Sequence, residues 1–136
     1  MSPADTPSDD PTDTDFLVDV DDLALDATWT DAEPALRDAV SAALPVEGDA
    51  ARWGEELYVR TGIDAPVEDG VREVPVGALA YWPAGRAVCL FWGPTPASDG
   101  AVPVAASPVG VFATVDDVSG LDDLDGGARL RLRRSD

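Results

Sequence analysis

Apolar residues along this chain change their spacing from two to about four and back to two, and each change predicts an element. Phe16, Val18 and Val20 stand at alternate positions around Leu17 and Asp19, and Leu23, Leu25, Ala27 and Trp29 continue that period. Two strands joined at Asp21-Asp22 follow. The stretch Thr30-Asp31-Ala32-Glu33-Pro34 then supplies a helix start, with a Thr or Asp cap, early acids and a proline in the first turn. Leu36, Ala39, Val40, Ala43 and Leu44 form one helical stripe that belongs in a core, and Pro45 stops it.

Beyond Pro45 the pattern reads as short strands between turns. In Glu55 to Arg60, Leu57 and Val59 share one face while Glu56, Tyr58 and Arg60 share the other. Val74 and Val76 flank Pro75, which marks an edge or a connector. The runs Leu79 to Trp82 and Ala87 to Trp92 are apolar on both faces, as in strands inside a closed or doubly covered sheet. Pro83-Ala84-Gly85-Arg86 joins them as a hairpin. Val109 to Val115 is a further strand in which Gly110 eases a bend, and Val118 to Leu124 is one helical turn. Asp125-Gly126-Gly127 leads to a last strand, with Leu130 and Leu132 alternating against Arg129, Arg131 and Arg133. The sum is a mainly β domain, a closed barrel of seven or eight strands with one main α-helix plugging or flanking it.

Residues 1–14 break with this pattern. Pro3, Pro7 and Pro11 stand among serines, threonines and aspartates, too polar to offset the entropy of ordering. The expected division is a disordered acidic tail over 1–14 and one barrel domain over 15–134.

Charge and composition narrow the chemistry. The chain has 136 residues with 27 acids against 9 bases, a net charge of −18. Every base is arginine, since the sequence has no lysine. Acids spread along the whole chain suit a surface adapted to molar salt, where self-repulsion is screened. The rival reading is an acidic surface built for a basic partner, which would not require lysine to be replaced everywhere. Nucleic acid and anionic membranes are disfavoured as partners because phosphate contacts need a positive face. No histidine is present, which excludes Ser-His-Asp and Cys-His nucleophiles and histidine metal sites. Neither a metal nor another cofactor is expected. The lone cysteine, Cys89, sits between Val88 and Leu90 and reads as an inert buried thiol. No basic and apolar leader opens the sequence, so the expected home is the cytoplasm of a salt-accumulating cell.

Three clusters are more specific than their composition: Arg52-Trp53-Gly54-Glu55-Glu56-Leu57-Tyr58, Ala80-Tyr81-Trp82-Pro83-Ala84-Gly85 and Phe91-Trp92-Gly93-Pro94-Thr95-Pro96. Their order and spacing resemble a family of small archaeal and bacterial cyclophilin-like proteins, from about Phe16 to Arg133. The resemblance implies a closed cyclophilin-type barrel and no established activity. True cyclophilins catalyse prolyl isomerisation with an arginine, an apolar proline pocket and supporting groups that include a histidine. No stretch here matches that motif, so no catalytic residue is carried over.

For the aromatics of these clusters the plain reading is barrel core. The functional reading is a cleft lined by aromatics with a few polar groups, taking a small molecule or a short peptide. Its residues would be Arg52, Trp53, Glu56, Tyr58, Tyr81, Trp82, Phe91 and Thr95. Arg52, Glu56, Tyr58, Tyr81 and Thr95 are expected to converge, with Trp53 and Phe91 as the apolar wall and Arg52 aimed at the ligand. A salt bridge or hydrogen bond from Glu56 to Tyr58 or Arg60 is the favoured reading of that carboxyl. A histidine-free prolyl isomerase and a pure protein-interaction module are the alternatives to a binding barrel. The oligomeric state is not legible. The charge yields one expectation that a melting curve checks: Tm rises steeply between dilute buffer and molar potassium chloride, and an unchanged Tm would exclude the salt-adapted reading.

Overall fold

The structure is a computed structural model that describes residues 15–124 and 127–134; the acidic stretch 1–14, Asp125, Gly126, Ser135 and Asp136 lie outside the described residues. The strands are β1 (Phe16–Val20), β2 (Leu23–Trp29), β3 (Val46–Arg52), β4 (Glu56–Arg60), β5 (Val71–Glu73), β6 (Ala78–Trp82), β7 (Ala87–Phe91), β8 (Val104–Val115) and β9 (Ala128–Arg134). Helix α1 (Pro34–Ala43) separates β2 from β3, and a 3-10 turn (Ser119–Asp123) separates β8 from β9. None of the described helices is long and apolar enough to cross a membrane.

The strand order is β2-β1-β9-β3-β4-β7-β6-β8, and β8 pairs back onto β2 through Ala27↔Val115, Thr28↔Thr114 and Trp29↔Ala113. The sheet therefore closes as a ring of eight antiparallel strands, with β5 hydrogen-bonded to β8 as a ninth. Closure gives every ring strand two partners and removes the open edges. The expected barrel-like architecture is present. Two strands were not separately legible. In β3 only Val46 and Ala50 are buried, with Gly48 between them, so its alternation is faint. All three residues of β5 are exposed.

The ring interior is one apolar cluster to which all eight ring strands contribute, including Phe16, Leu25, Val46, Leu57, Leu79, Leu90, Phe112 and Leu130. Leu36 and Val40 of α1 join it. Gly110 serves that contact: a Cβ there would stand 2.9 Å from Leu36 Cδ2. Its missing side chain admits the helix to β8. Ala43, at the end of the expected stripe, is exposed.

The helix start also departs from expectation. Neither Thr30 nor Asp31 caps α1. The Thr30 hydroxyl donates to Val111 O at 3.1 Å, and Asp31 pairs with Arg37 at 3.4 Å. Glu33 occupies the cap position without a side-chain cap bond. Its buried carboxylate accepts the backbone N–H groups of Glu68 (2.9 Å) and Asp69 (2.8 Å), tying the segment before β5 to the helix.

A second, smaller cluster lies on the outer face of β6 and β7: Ala78, Ala80, Ala87, Cys89 and Phe91 pack with Val74, Ala105 and Val109. Four of these floor residues are alanine or cysteine, short enough for the first half of β8 to lie against the sheet. Trp82 Nε1 donates to Ser107 Oγ (2.5 Å), and the Thr95 hydroxyl donates to Val104 O (2.5 Å), which fixes this half of β8 at two points. Loss of the Glu33 bonds should be costly, because a charged acceptor serves two N–H groups there. Glu33→Ala is expected to lower unfolding free energy by about 2 kcal/mol in urea titrations, with Glu33→Gln milder.

Candidate binding pocket

Strand alternation sends the side chains of β4 to opposite sides. Leu57 and Val59 enter the ring interior, while Glu56, Tyr58 and Arg60 stand on the outer face in register with Phe91, Cys89 and Ala87 of β7. Because the first half of β8 lies over the neighbouring part of that face, a cleft of about 250 Å³ remains between β4 and β8. Trp53, Tyr58 and Trp82 are its aromatic lining, Glu56, Cys89 and Arg60 its polar groups, and Ala105, Ala106 and Val109 its β8 side. Tyr58 and Trp82 meet edge to face with centroids 6.4 Å apart.

The turn before β4 holds Trp53 and Glu56 in place. Trp53 N donates to Glu56 O at 2.8 Å, and Glu55 N donates to Pro94 O at 2.9 Å. Gly54 makes this possible. Its φ is +63°, and a Cβ would stand 2.8 Å from both Thr95 Cα and Pro96 Cδ. The first and third sequence clusters are thus one packed scaffold under the pocket's end.

Glu56 is only 6% exposed and makes no ion pair among the described residues. Burial pushes its carboxyl up from 4.5 to about 7, opposed in part by a hydrogen bond from the Cys89 thiol. The thiol is itself pushed well above its usual range, by burial first and then by the Glu56 charge and hydrogen bond. Cys89 is thus held as a neutral thiol, a poor nucleophile and a donor to its neighbour.

Of the eight residues expected in one cleft, the structure brings Trp53, Glu56, Tyr58 and Trp82 together. The other four lie elsewhere, so the expected convergence does not occur. Arg52 is in register with Leu57, on the inward-facing side, where its guanidinium lies 5.4 Å over the Trp92 ring. It bonds Glu55 Oε2 at 2.6 Å, Gly54 O at 2.8 Å and Leu124 O. Tyr81 also faces inward, 1% exposed, its hydroxyl donating to Ile63 O at 2.6 Å. Phe91 is wholly buried within the outer cluster. Thr95 braces its own loop, bonding Val104 O and accepting Ala97 N–H (3.1 Å). Glu56 meets neither Tyr58 nor Arg60 in a bond; Arg60 Nη1 donates instead to Gly85 O at 3.0 Å. Cys89, which reads as plain core, lines the pocket, and its register with Tyr58 was the missing signal.

A larger depression of about 560 Å³ lies beside the end of α1, near Pro45, Glu47, Thr61 and Asp64. Its acids Glu47 and Asp64 are 45% and 79% exposed, so it offers no desolvated polar group.

The Cyclophilin-like family model matches residues 15–133. The chain belongs to the Cyclophilin-like family. A solved relative in fold is the hypothetical protein AF2241 from Archaeoglobus fulgidus, known from a solution structure. It superposes with a TM-score of 0.72 at 28% identity, covering 90% of this cyclophilin-like chain and 95% of that one. No curated protein matches the sequence.

The raised Glu56 carboxyl links this pocket to stability. Below the unfolded value of 4.5 the group is protonated in both states; between 4.5 and about 7 the folded state holds the extra proton. Its contribution to stability therefore falls as pH rises through that window and is level above it. Glu56→Gln removes the loss. Relative to the unsubstituted cyclophilin-like chain, the variant should gain about 3 kcal/mol by urea titration at about pH 8 and under about 1 kcal/mol at about pH 5. An equal gain at both values would show that Glu56 does not titrate in this window.

Proposed function

We propose that this cyclophilin-like protein binds a small molecule of about one ring in size, seated between Trp53, Tyr58 and Trp82 with Glu56 as its polar anchor. The observation that carries this reading is the Glu56 carboxyl, nearly buried at an aromatic-lined cleft and without an ion-pair partner among the described residues. A desolvated carboxyl with unused acceptor sites costs stability, and a ligand that satisfies it recovers that cost. The volume supports a small molecule over a folded peptide. The net charge of −18 supports a salt-rich cytoplasm as its home.

A fragment screen by thermal shift in molar potassium chloride tests the reading. Hits should raise Tm, and Tyr58→Ala or Trp82→Ala should weaken them at least tenfold, about 1.4 kcal/mol. Arg52→Ala should lower Tm and weaken fragments less than either aromatic substitution, since Arg52 holds the turn from the other side of the sheet and does not line the cleft. Hits indifferent to Tyr58 and Trp82 would overturn the assignment. Accelerated isomerisation of a prolyl peptide, lost in Tyr58→Ala, would replace binding with catalysis.

A further inference from the structure

The pocket's carboxyl and its guanidinium stand apart. Among the described lining residues Glu56 is the only carboxyl and Arg60 the only base; Arg60 lies four residues further along β4, exposed and donating to Gly85 O, and does not pair with Glu56, while Arg52 lies on the other face bonded to Glu55. On β7 the group facing it is the Cys89 thiol, and on its own strand the titratable neighbours are Tyr58 and Arg60. The β8 side contributes only Ala105, Ala106 and Val109, none of which titrates. A carboxylate can accept about four hydrogen bonds, and the thiol supplies one.

Resting on the binding reading above, we infer that the ligand is a small organic cation: a protonated amine or amidine carried on one apolar ring or short chain, its N–H groups meeting Glu56. Three further features agree. The faces of Trp53, Tyr58 and Trp82 carry negative quadrupole potential, which attracts cations. In dilute buffer the net charge of −18 adds a long-range attraction for cations, which molar salt screens and so leaves the cleft's own preference to be read. The cavity of about 250 Å³ fits one ring with a short arm.

Because Glu56 ionises near pH 7, the cation-binding state fills as pH rises, while a primary amine stays protonated well above neutrality. The test is calorimetry on the full chain with benzylamine, benzyl alcohol and benzoate, in molar potassium chloride to screen surface attraction. Benzylamine should bind about 30-fold more tightly at about pH 8.5 than at about pH 5.5, the ratio of ionised Glu56. Near pH 6 its binding should release close to one proton, read from buffers of different ionisation heat. Benzyl alcohol should bind without pH dependence and benzoate should not bind. Glu56→Gln should keep the alcohol and lose both the pH dependence and the proton release. Should that variant fail to fold, proton release by the unsubstituted chain still decides the matter. If the alcohol binds as tightly as the amine at both pH values, the cation inference falls while the pocket stands. If no probe binds at millimolar concentration, both fall. A pH dependence that survives in folded Glu56→Gln also overturns the inference.

Discussion

The pairing of β2 with β8 is the constraint on which the rest depends. Three residue pairs, from Ala27↔Val115 to Trp29↔Ala113, join the two ends of an otherwise open sheet. Once they form, the inward face of each ring strand meets the same interior, and the apolar alternation of β1, β2, β4 and β9 drains into one cluster. Without closure the same residues would line a twisted open face. α1 completes the interior because Gly110 leaves room for Leu36.

The second constraint is the length of β8. Its twelve residues exceed what the ring uses. The portion from Gly110 to Val115 pairs with β6 and β2, while the portion before it pairs with β5 and lies on the outer face. That doubling-back buries Phe91 and Cys89 and leaves the cleft beside Glu56. The cleft is thus a product of two layers that the strand does not fully close, and the small side chains Ala80, Ala87 and Cys89 set how near those layers come.

Much of the fold was legible because burial and alternation coincide. The strands around Asp21-Asp22, the helix at Leu36 and Val40, and the doubly apolar Leu79–Trp82 and Ala87–Trp92 runs all declare themselves in this way. β3 did not, since glycine and alanine occupy inward positions where a pattern needs larger side chains. The site was half legible. Alternation in β4 correctly separated Glu56 and Tyr58 from Leu57. It could not show that Tyr81 faces inward, because every residue of β6 is apolar and either parity would pack. Arg52 was misplaced for a related reason: nothing in Arg-Trp-Gly marks the left-handed turn at Gly54 after which the chain re-enters the sheet. Cys89 joined the site through its register with Tyr58, a fact of strand pairing that a linear sequence does not carry.

The four tryptophans fall into two populations. Trp53 and Trp82 line the cleft, half-buried and open to an occupant. Trp29 packs tilted against Phe16, ring centroids 4.4 Å apart, under the Arg37 guanidinium, and Trp92 is buried beneath Arg52. The protein therefore carries its own optical reporters. A molecule entering the cleft alters the polarity around one pair of indoles, and the other pair, seated away from the cleft, serves as an internal reference. Emission from the unlabelled chain consequently separates occupancy of the cleft from loss of the ring.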